Sequence, residues 1–305
     1  MRNLLLVMLL FTSQLVFSQG IKVVSNEQIP ISEGRCLPVL SPNGDYLLLT
    51  GDDMQGLQKY DLTTKKLTTI TNDKGAGFGA QISSDGSTIV YRTSDYQGKL
   101  RYSSLKSVDV ATGKEFTLIK STRNLQGINT IEGTVLAVND GKLVKKTISG
   151  KKSSSSVTPP VVSIKEGQLY VTNNGSIKQV SPLGKNVSYL WASVSPNGKK
   201  LLFYVVDQAK AYVSNIDGSN SVSLGTLRAP SWMGNDWVVG MLDKDNGTVV
   251  TSSKIIGIAA DGTGRTELTG NSVIAMYPTA STDATKIAYN TADGKVFLMH
   301  VKTNK

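Results

Sequence analysis

One phrase recurs along this chain, a polar turn followed at once by an apolar strand, and it constrains the fold more than any other feature. Ser41-Pro42-Asn43-Gly44 precedes Asp45-Tyr46-Leu47-Leu48-Leu49, and forty-two residues later Ser83-Ser84-Asp85-Gly86 precedes Ser87-Thr88-Ile89-Val90-Tyr91. Ser195-Pro196-Asn197-Gly198 introduces Lys199-Lys200-Leu201-Leu202-Phe203-Tyr204, and eighty-six residues on, or two periods, Ser281-Thr282-Asp283-Ala284 introduces Thr285-Lys286-Ile287-Ala288-Tyr289. Proline presets φ at the second turn position, and Asn-Gly or Asp-Gly tolerates positive φ after it. The β-branched and aromatic run that follows reads as a strand. Repetition at this period is the signature of a radial or stacked architecture.

A second turn signal follows each phrase by some twenty residues, at Asp61 to Lys66, Ala111-Thr112-Gly113, Asp217-Gly218 and Asp261-Gly262. Shorter copies fill the gaps. Ile131-Glu132-Gly133, Lys165-Glu166-Gly167 and Trp232-Met233-Gly234-Asn235 each precede an apolar run. Turn centres near residues 44, 86, 133, 167, 198, 234 and 284 make seven units, each of about 41 residues, the size of a four-stranded propeller blade. No stretch outside the extreme N-terminus keeps an apolar 3.6-residue spacing, so almost no helix is expected. The chain therefore reads as all-β, a single β-propeller of four-stranded blades over residues 19–305. The last unit ends after its third strand, Lys295 to Val301, and Ile21 to Ser25 supplies the fourth and closes the ring. The thin region is 127–190, where two units are short; if they merge, the count is six.

The phrase Ser-Pro-Asn/Asp-Gly, followed by a Leu/Ile-rich strand ending in Tyr or Phe, resembles the repeat of TolB-like and WD40-like propellers and of the propellers in prolyl-oligopeptidase-type peptidases. The resemblance covers nearly all of the chain and specifies a blade rather than a chemistry. Neither the α/β domain that precedes the propeller in TolB nor the Gly-x-Ser-x-Gly elbow of the peptidases is expected here. What the resemblance implies is a periplasmic or secreted propeller that binds another protein.

The first eighteen residues read as a signal peptide. Arg2 gives a positive start, Leu4 to Phe17 is largely apolar, and Ser18 offers a small residue for cleavage. The run is short for a membrane span of about 20 residues, and Cys36 lies too far downstream for a lipid anchor. Export to the periplasm or the medium follows. The whole chain carries a net charge of +10, but the lysines are scattered in pairs (Lys65-Lys66, Lys145-Lys146, Lys151-Lys152, Lys199-Lys200), as solvated ends that blunt strand edges. Weak, salt-dependent attraction to anionic surfaces is expected, and no specific nucleic-acid binding.

Two counts narrow the chemistry. The single cysteine excludes an internal disulfide framework, and the single histidine, His300, excludes mechanisms and metal sites that need two. His300 itself falls in a strand. Asp243-Lys244-Asp245-Asn246-Gly247 misplaces the glycine of a calcium loop and lacks its bidentate Glu. Ser83-Ser84-Asp85-Gly86 fails as a sialidase-type Asp-box. Gly75-Ala76-Gly77-Phe78-Gly79 has no helix behind it to hold phosphate and reads as a flexible loop. No catalytic residue, metal or cofactor is assigned.

The face opposite the turn phrases is the better candidate for function, because its longer loops carry aromatics, Arg and carboxylates. The binding residues read there are Asp52, Asp53, Phe78, Tyr96, Asp207, Arg228, Trp232 and Asp243, with Asp95, Arg123 and Asp245 nearby. They compose aromatic anchors in a mainly acidic rim, suited to a basic segment of an envelope or secreted protein. The expected protein is a monomeric, non-catalytic interaction scaffold. The competing expectation is a glycan-active enzyme or a glycan- or small-ligand-binding propeller. It would need a polar central pocket with two carboxylates about 5–9 Å apart.

Overall fold

The computed structural model describes residues 20–304 apart from 33, 35, 132 and 149–157; the expected signal peptide, 1–18, lies outside the described residues. The serine that opens each full turn phrase has a definite task. Ser41, Ser83, Ser195 and Ser281 are buried. Each hydroxyl accepts the amide of the residue five positions on, from Tyr46, Thr88, Lys200 and Lys286, all at 3.0 Å. A satisfied buried hydroxyl thus fixes where the next strand starts. Gly44, Gly86 and Gly198 sit in the left-handed region with φ of 71°, 72° and 73°. The fourth copy places Ala284 there at φ 58°, which costs about 1–2 kcal/mol for a residue with a Cβ.

The strands form seven separate antiparallel sheets. Blade 1 runs Cys36–Leu40, Tyr46–Thr50, Leu57–Asp61 and Leu67–Thr71, and blade 2 Gln81–Ile82, Thr88–Gln97, Leu100–Asp109 and Glu115–Thr122. Blade 3 (Leu125–Ile131, Thr134–Asn139, Lys142–Thr147) and blade 4 (Val161–Lys165, Gln168–Asn173, Ser176–Val180) have three strands each among the described residues. Blade 5 is Tyr189–Val194, Lys200–Val205, Lys210–Asn215 and Val222–Gly225; blade 6 is Arg228–Met233, Trp237–Asp245, Val250–Ala259 and Thr266–Glu267. Blade 7 takes Ala275–Ala280, Lys286–Thr291 and Val296–Asn304 from the C-terminal end and Gly20–Gln28 from the other, paired antiparallel from Gly20↔Asn304 to Gln28↔Phe297. The ring is therefore seven-bladed and closed by the N-terminal strand. Blades 3 and 4 do not merge, so the count is seven and not six. Apart from the two short 3-10 turns Asp52–Met54 and Val206–Gln208, no helix occurs among the described residues.

Second strands are buried on both faces, which is why they read as unbroken apolar runs such as Leu47-Leu48-Leu49. Seven core clusters result, and each spans one junction between neighbouring blades around the ring. The turn phrases gather on one face. The Thr282 amide donates to the Pro42 carbonyl at 2.8 Å, and the Tyr46 hydroxyl to that of Gly86 at 2.8 Å. The opposite face carries the loops between second and third strands and between blades.

Inner strands bulge as they approach that loop face. Leu37, Gly79, Trp191, Ala229 and Tyr277, each four residues before its turn position, have φ of 49°, 66°, 46°, 44° and 51°. The register slips at this point in blades 1, 5, 6 and 7. Bulges re-aim side chains, and Trp191 emerges 41% exposed.

Candidate functional site

The hairpin of blade 2 extends well beyond that blade's own inner strand. Thr88–Gln97 pairs with Leu100–Asp109 along its full length, while Gln81–Ile82 covers only Ile89 and Val90 on the other side. The remainder overhangs the loop face. Strand alternation puts Arg92, Ser94 and Tyr96 on one side, and the cross-strand pairs Ser94↔Ser103 and Tyr96↔Arg101 add Ser103 and Arg101 to it. Against this overhang lies the segment joining blades 1 and 2. Lys74 accepts the Ser94 amide at 2.7 Å through its carbonyl, and the Gly77 amide donates to Met54 at 3.0 Å. A Cβ on Gly77 would come within 2.2 Å of Thr50 Oγ1, and one on Gly75 within 2.5 Å of Ser94 Oγ. The glycine-rich run expected to be a flexible loop is a packed turn, and glycine is required by close approach.

Between hairpin and turn lies a groove of about 440 Å³ lined by Asp53, Lys74, Phe78, Arg92, Tyr96, Arg101 and Arg123, with smaller residues between them. Phe78 is 53% and Tyr96 64% exposed. Four cations face one described carboxylate, Asp53. The mainly acidic rim expected from the sequence is in this groove a cationic one. Arg92 reaches across to blade 3, where its two terminal nitrogens donate to the carbonyls of Leu125 (3.3 Å) and Gln126. Its Nε is buried with no partner among the described residues. Burial, and after it the charge of Arg101, pulls the Arg92 pKa down to about 10, which still leaves it cationic at neutral pH.

Phe78 and Arg92 also belong to the wall of the central channel, about 530 Å³, so groove and channel open into each other. Arg92 is the one charged side chain among the described residues of that wall. Among the described residues of that wall there is no carboxylate.

The other sequence-derived residues lie elsewhere. Arg228 and Asp243 form an ion pair at 2.7 Å, with the Asp243 side chain 2% exposed and that of Arg228 41%. Beside them Trp191 and Tyr204 meet edge to face at 4.9 Å between centroids. Burial first, and then the opposing charges of Arg228 and Asp243, shape the environment of Tyr204, whose hydroxyl is pushed above its usual range. Asp207, exposed in its 3-10 turn, accepts the Ser188 amide at 3.1 Å. Trp232 is 8% exposed and belongs to the core shared by blades 5 and 6. Its ring is a packing element. Asp53 is exposed at φ 54°, and the Asp52 side chain falls outside the described residues.

Several placements differ from the expectation of loop residues. Tyr96, Arg228, Trp232 and Asp243 are all on strands. Of the eight residues, the groove unites Asp53, Phe78 and Tyr96; Arg228 and Asp243 pair on blade 6, and Asp207 stands apart in the turn of blade 5. Sequence reasoning missed Arg92, Arg101, Lys74 and Trp191. The signal for Trp191 was present, since it occupies the position four residues before a turn serine that bulges in the other blades.

No family model matches the chain, and no curated protein matches it in sequence. Solved structures do. TolB from Acinetobacter baumannii superposes with a TM-score of 0.53 at 15% identity, over 81% of this chain and 57% of that one. This chain thus spans just over half of the TolB structure. The Cps50 (Swd1) β-propeller domain of Myceliophteria thermophila gives 0.58 at 10% identity, over 92% and 100%. A chain of a mitotic checkpoint complex gives 0.59 at 10%, over 98% and 99%. The fold is that of TolB and WD40-type propellers.

Proposed function

We propose that this chain is an exported, non-catalytic propeller that holds a protein of the cell envelope, or one secreted with it, on its loop face. The observation that carries the reading is the groove of blades 1 and 2, where the exposed rings of Phe78 and Tyr96 stand beside the channel mouth. Exposed aromatic anchors in a concave, partly polar setting are the usual hot spots of protein interfaces. Export rests on the N-terminal eighteen residues. No helix among the described residues is long and apolar enough to cross a membrane.

The test is capture from envelope extract with the exported chain tagged at its C-terminus, beside Phe78→Ala and Tyr96→Ala. Both rings are exposed, so both variants should fold. Retention of the same protein by wild type and its loss from either variant, by roughly 1–3 kcal/mol of binding, supports the reading. Retention that ignores both substitutions, or turnover of a glycan by the wild type, overturns it. The intact mass of the fractionated protein reads the leader, with a first residue of Gln19 expected.

A further inference from the structure

We infer that the groove between Phe78 and Tyr96 takes an acidic stretch of the partner polypeptide, laid extended along the overhanging hairpin with its carboxylates on Arg101 and Arg123. This deepens the reading of the face as protein-binding and rests on it. It also reverses the charge of the partner that the sequence suggested.

Charge is the first support. Lys74, Arg92, Arg101 and Arg123 line one groove with Asp53 as the only described carboxylate, and among the described residues none of the four forms an ion pair. Other cations of this chain do find carboxylates. Lys106 pairs with Asp73 and Glu115, Lys254 with Glu267, and Arg228 with Asp243. Four like charges left together in one concavity raise the local concentration of anions and speed their arrival.

Arg92 is the second. It is held between the hairpin and blade 3 by two carbonyl acceptors, with Nε buried and unpartnered among the described residues. Carbonyl dipoles orient a guanidinium but do not neutralise it, and burial disfavours its charge. A carboxylate arriving on the neighbouring exposed Arg101 supplies the missing countercharge at the groove floor. Arginine suits this task because its planar fork matches a carboxylate with two parallel bonds.

The third support selects a polypeptide over a sugar acid. On its inner side the strand Thr88–Gln97 is paired only at Ile89 and Val90, and the Ser94 amide is taken by Lys74. Towards the hairpin tip no strand among the described residues lies beside it, and the Tyr96 amide is held locally by the Asp95 carboxylate at 2.9 Å. An extended peptide adds main-chain bonds to such an edge and drops alternate side chains onto the face below, here the face of Tyr96 and Arg101. Phe78 lies across the groove from them and contacts whatever apolar side chain flanks the acidic ones.

The probe is fluorescein-labelled hexaglutamate, read by anisotropy at low salt against the exported chain. Arg101→Ala/Arg123→Ala removes two exposed charges from the groove; Lys66→Ala/Lys199→Ala removes two exposed charges from the turn face and controls for net charge. The expected result is at least tenfold weaker binding in the first variant and less than twofold in the second. Equal losses in both, or no binding by the wild type beyond that of labelled hexalysine, overturn the inference. A galacturonate hexamer that binds as tightly as hexaglutamate, with the same dependence on Arg101 and Arg123, makes the groove a sugar-acid site instead. If an envelope partner is lost from Phe78→Ala but kept by Arg101→Ala/Arg123→Ala, protein binding stands and the acidic segment alone falls.

Discussion

Two seams of the same ring are built very differently. Blades 6 and 7 share thirteen buried side chains, including Trp237, Tyr289, Met299 and, from the N-terminal strand, Ile21. Blades 3 and 4 share three among the described residues: Leu136, Val138 and Val161. The heavy seam adjoins the one sheet in which the two ends of the chain meet. Bringing those ends together costs the entropy of closing the whole ring, and burial is the term large enough to offset it. The thin seam joins two three-stranded blades among the described residues, and neither carries a share of that closure. The other seams fall between these two, with eight buried side chains where blade 7 meets blade 1 and ten between blades 5 and 6.

The sharpest way to break that comparison is to empty the heavy seam. Trp237→Ala removes a ring that is 2% exposed from the core of blades 6 and 7 and is expected to cost about 3–5 kcal/mol of unfolding free energy, read by urea denaturation. Trp232→Ala, in the core of blades 5 and 6, is expected to cost nearly as much while leaving the partner affinity of the folded fraction unchanged. An intact fold with weakened binding would return Trp232 to the interface.

Leu136→Ala probes the thin seam. Its side chain is fully buried, yet few neighbours share its cluster, so the expected cost is about 2 kcal/mol, the low end for such a truncation. Hydrogen exchange sharpens the contrast without any mutation. Amides of 134–147 and 161–180 should open first, by sub-global unfolding, while those of Gly20–Gln28 exchange only with global opening. If the N-terminal strand exchanges first, the heavy core does not hold the closure.

Much of this was legible in the sequence. The turn phrase marked the second strands and their face, and the short units at 127–190 marked the thin seam before any contact was known. The buried serine hydroxyls explain why the phrase begins as it does. The groove was not legible, because Arg92, Arg101 and Arg123 are brought together only by the length of the overhanging hairpin and the reach of Arg92 to blade 3. Asp95-Tyr96 looked like loop because polar residues interrupt the strand there; antiparallel pairing continues through them to Gln97↔Leu100. Trp232 looked like an exposed anchor because a turn signal follows it. Position on an inner strand between two blades decided otherwise.

A gentler change should narrow the gap between the seams. Thr134 on blade 3 and Thr172 on blade 4 are buried, and neither hydroxyl has a partner among the described residues. Valine has nearly the same shape without the unmet hydrogen bond. Thr134→Val and Thr172→Val should each gain about 1 kcal/mol, seen as a higher denaturation midpoint at unchanged m-value and slower exchange across 134–147 and 161–180. A loss in either variant would mean that the hydroxyl does find a partner.

The smallest effect belongs to the seam of blades 1 and 2, which adds a polar tie to its apolar core. Asp73, in the segment joining the two blades, accepts Lys106 Nζ at 2.8 Å and the Tyr91 hydroxyl at 3.2 Å, while Lys106 also meets Glu115 at 2.9 Å. Burial pushes the Asp73 carboxyl up, but the hydrogen bond and charge of Lys106, with help from Tyr91, outweigh it and hold the group below its usual range. A carboxylate whose folded pKa is depressed stabilises fully above its unfolded value, near pH 4, and the contribution is lost as pH falls through the folded value. Because Lys106 and Asp73 are 21% and 33% exposed, screening limits the tie to a few tenths of a kcal/mol. The clean readout is therefore the titration of the Asp73 carboxyl carbon by NMR. It should lie below the ordinary carboxylate range in the wild type and move upward in Lys106→Met, where only the hydrogen bonds of Tyr91 and Thr71 still oppose burial. With the tie gone, the stability of the variant falls less steeply than the wild type's below pH 4, and exchange at the segment joining blades 1 and 2 rises at neutral pH towards that of the thin seam. An Asp73 titration indifferent to Lys106 would leave that seam held by its apolar core alone.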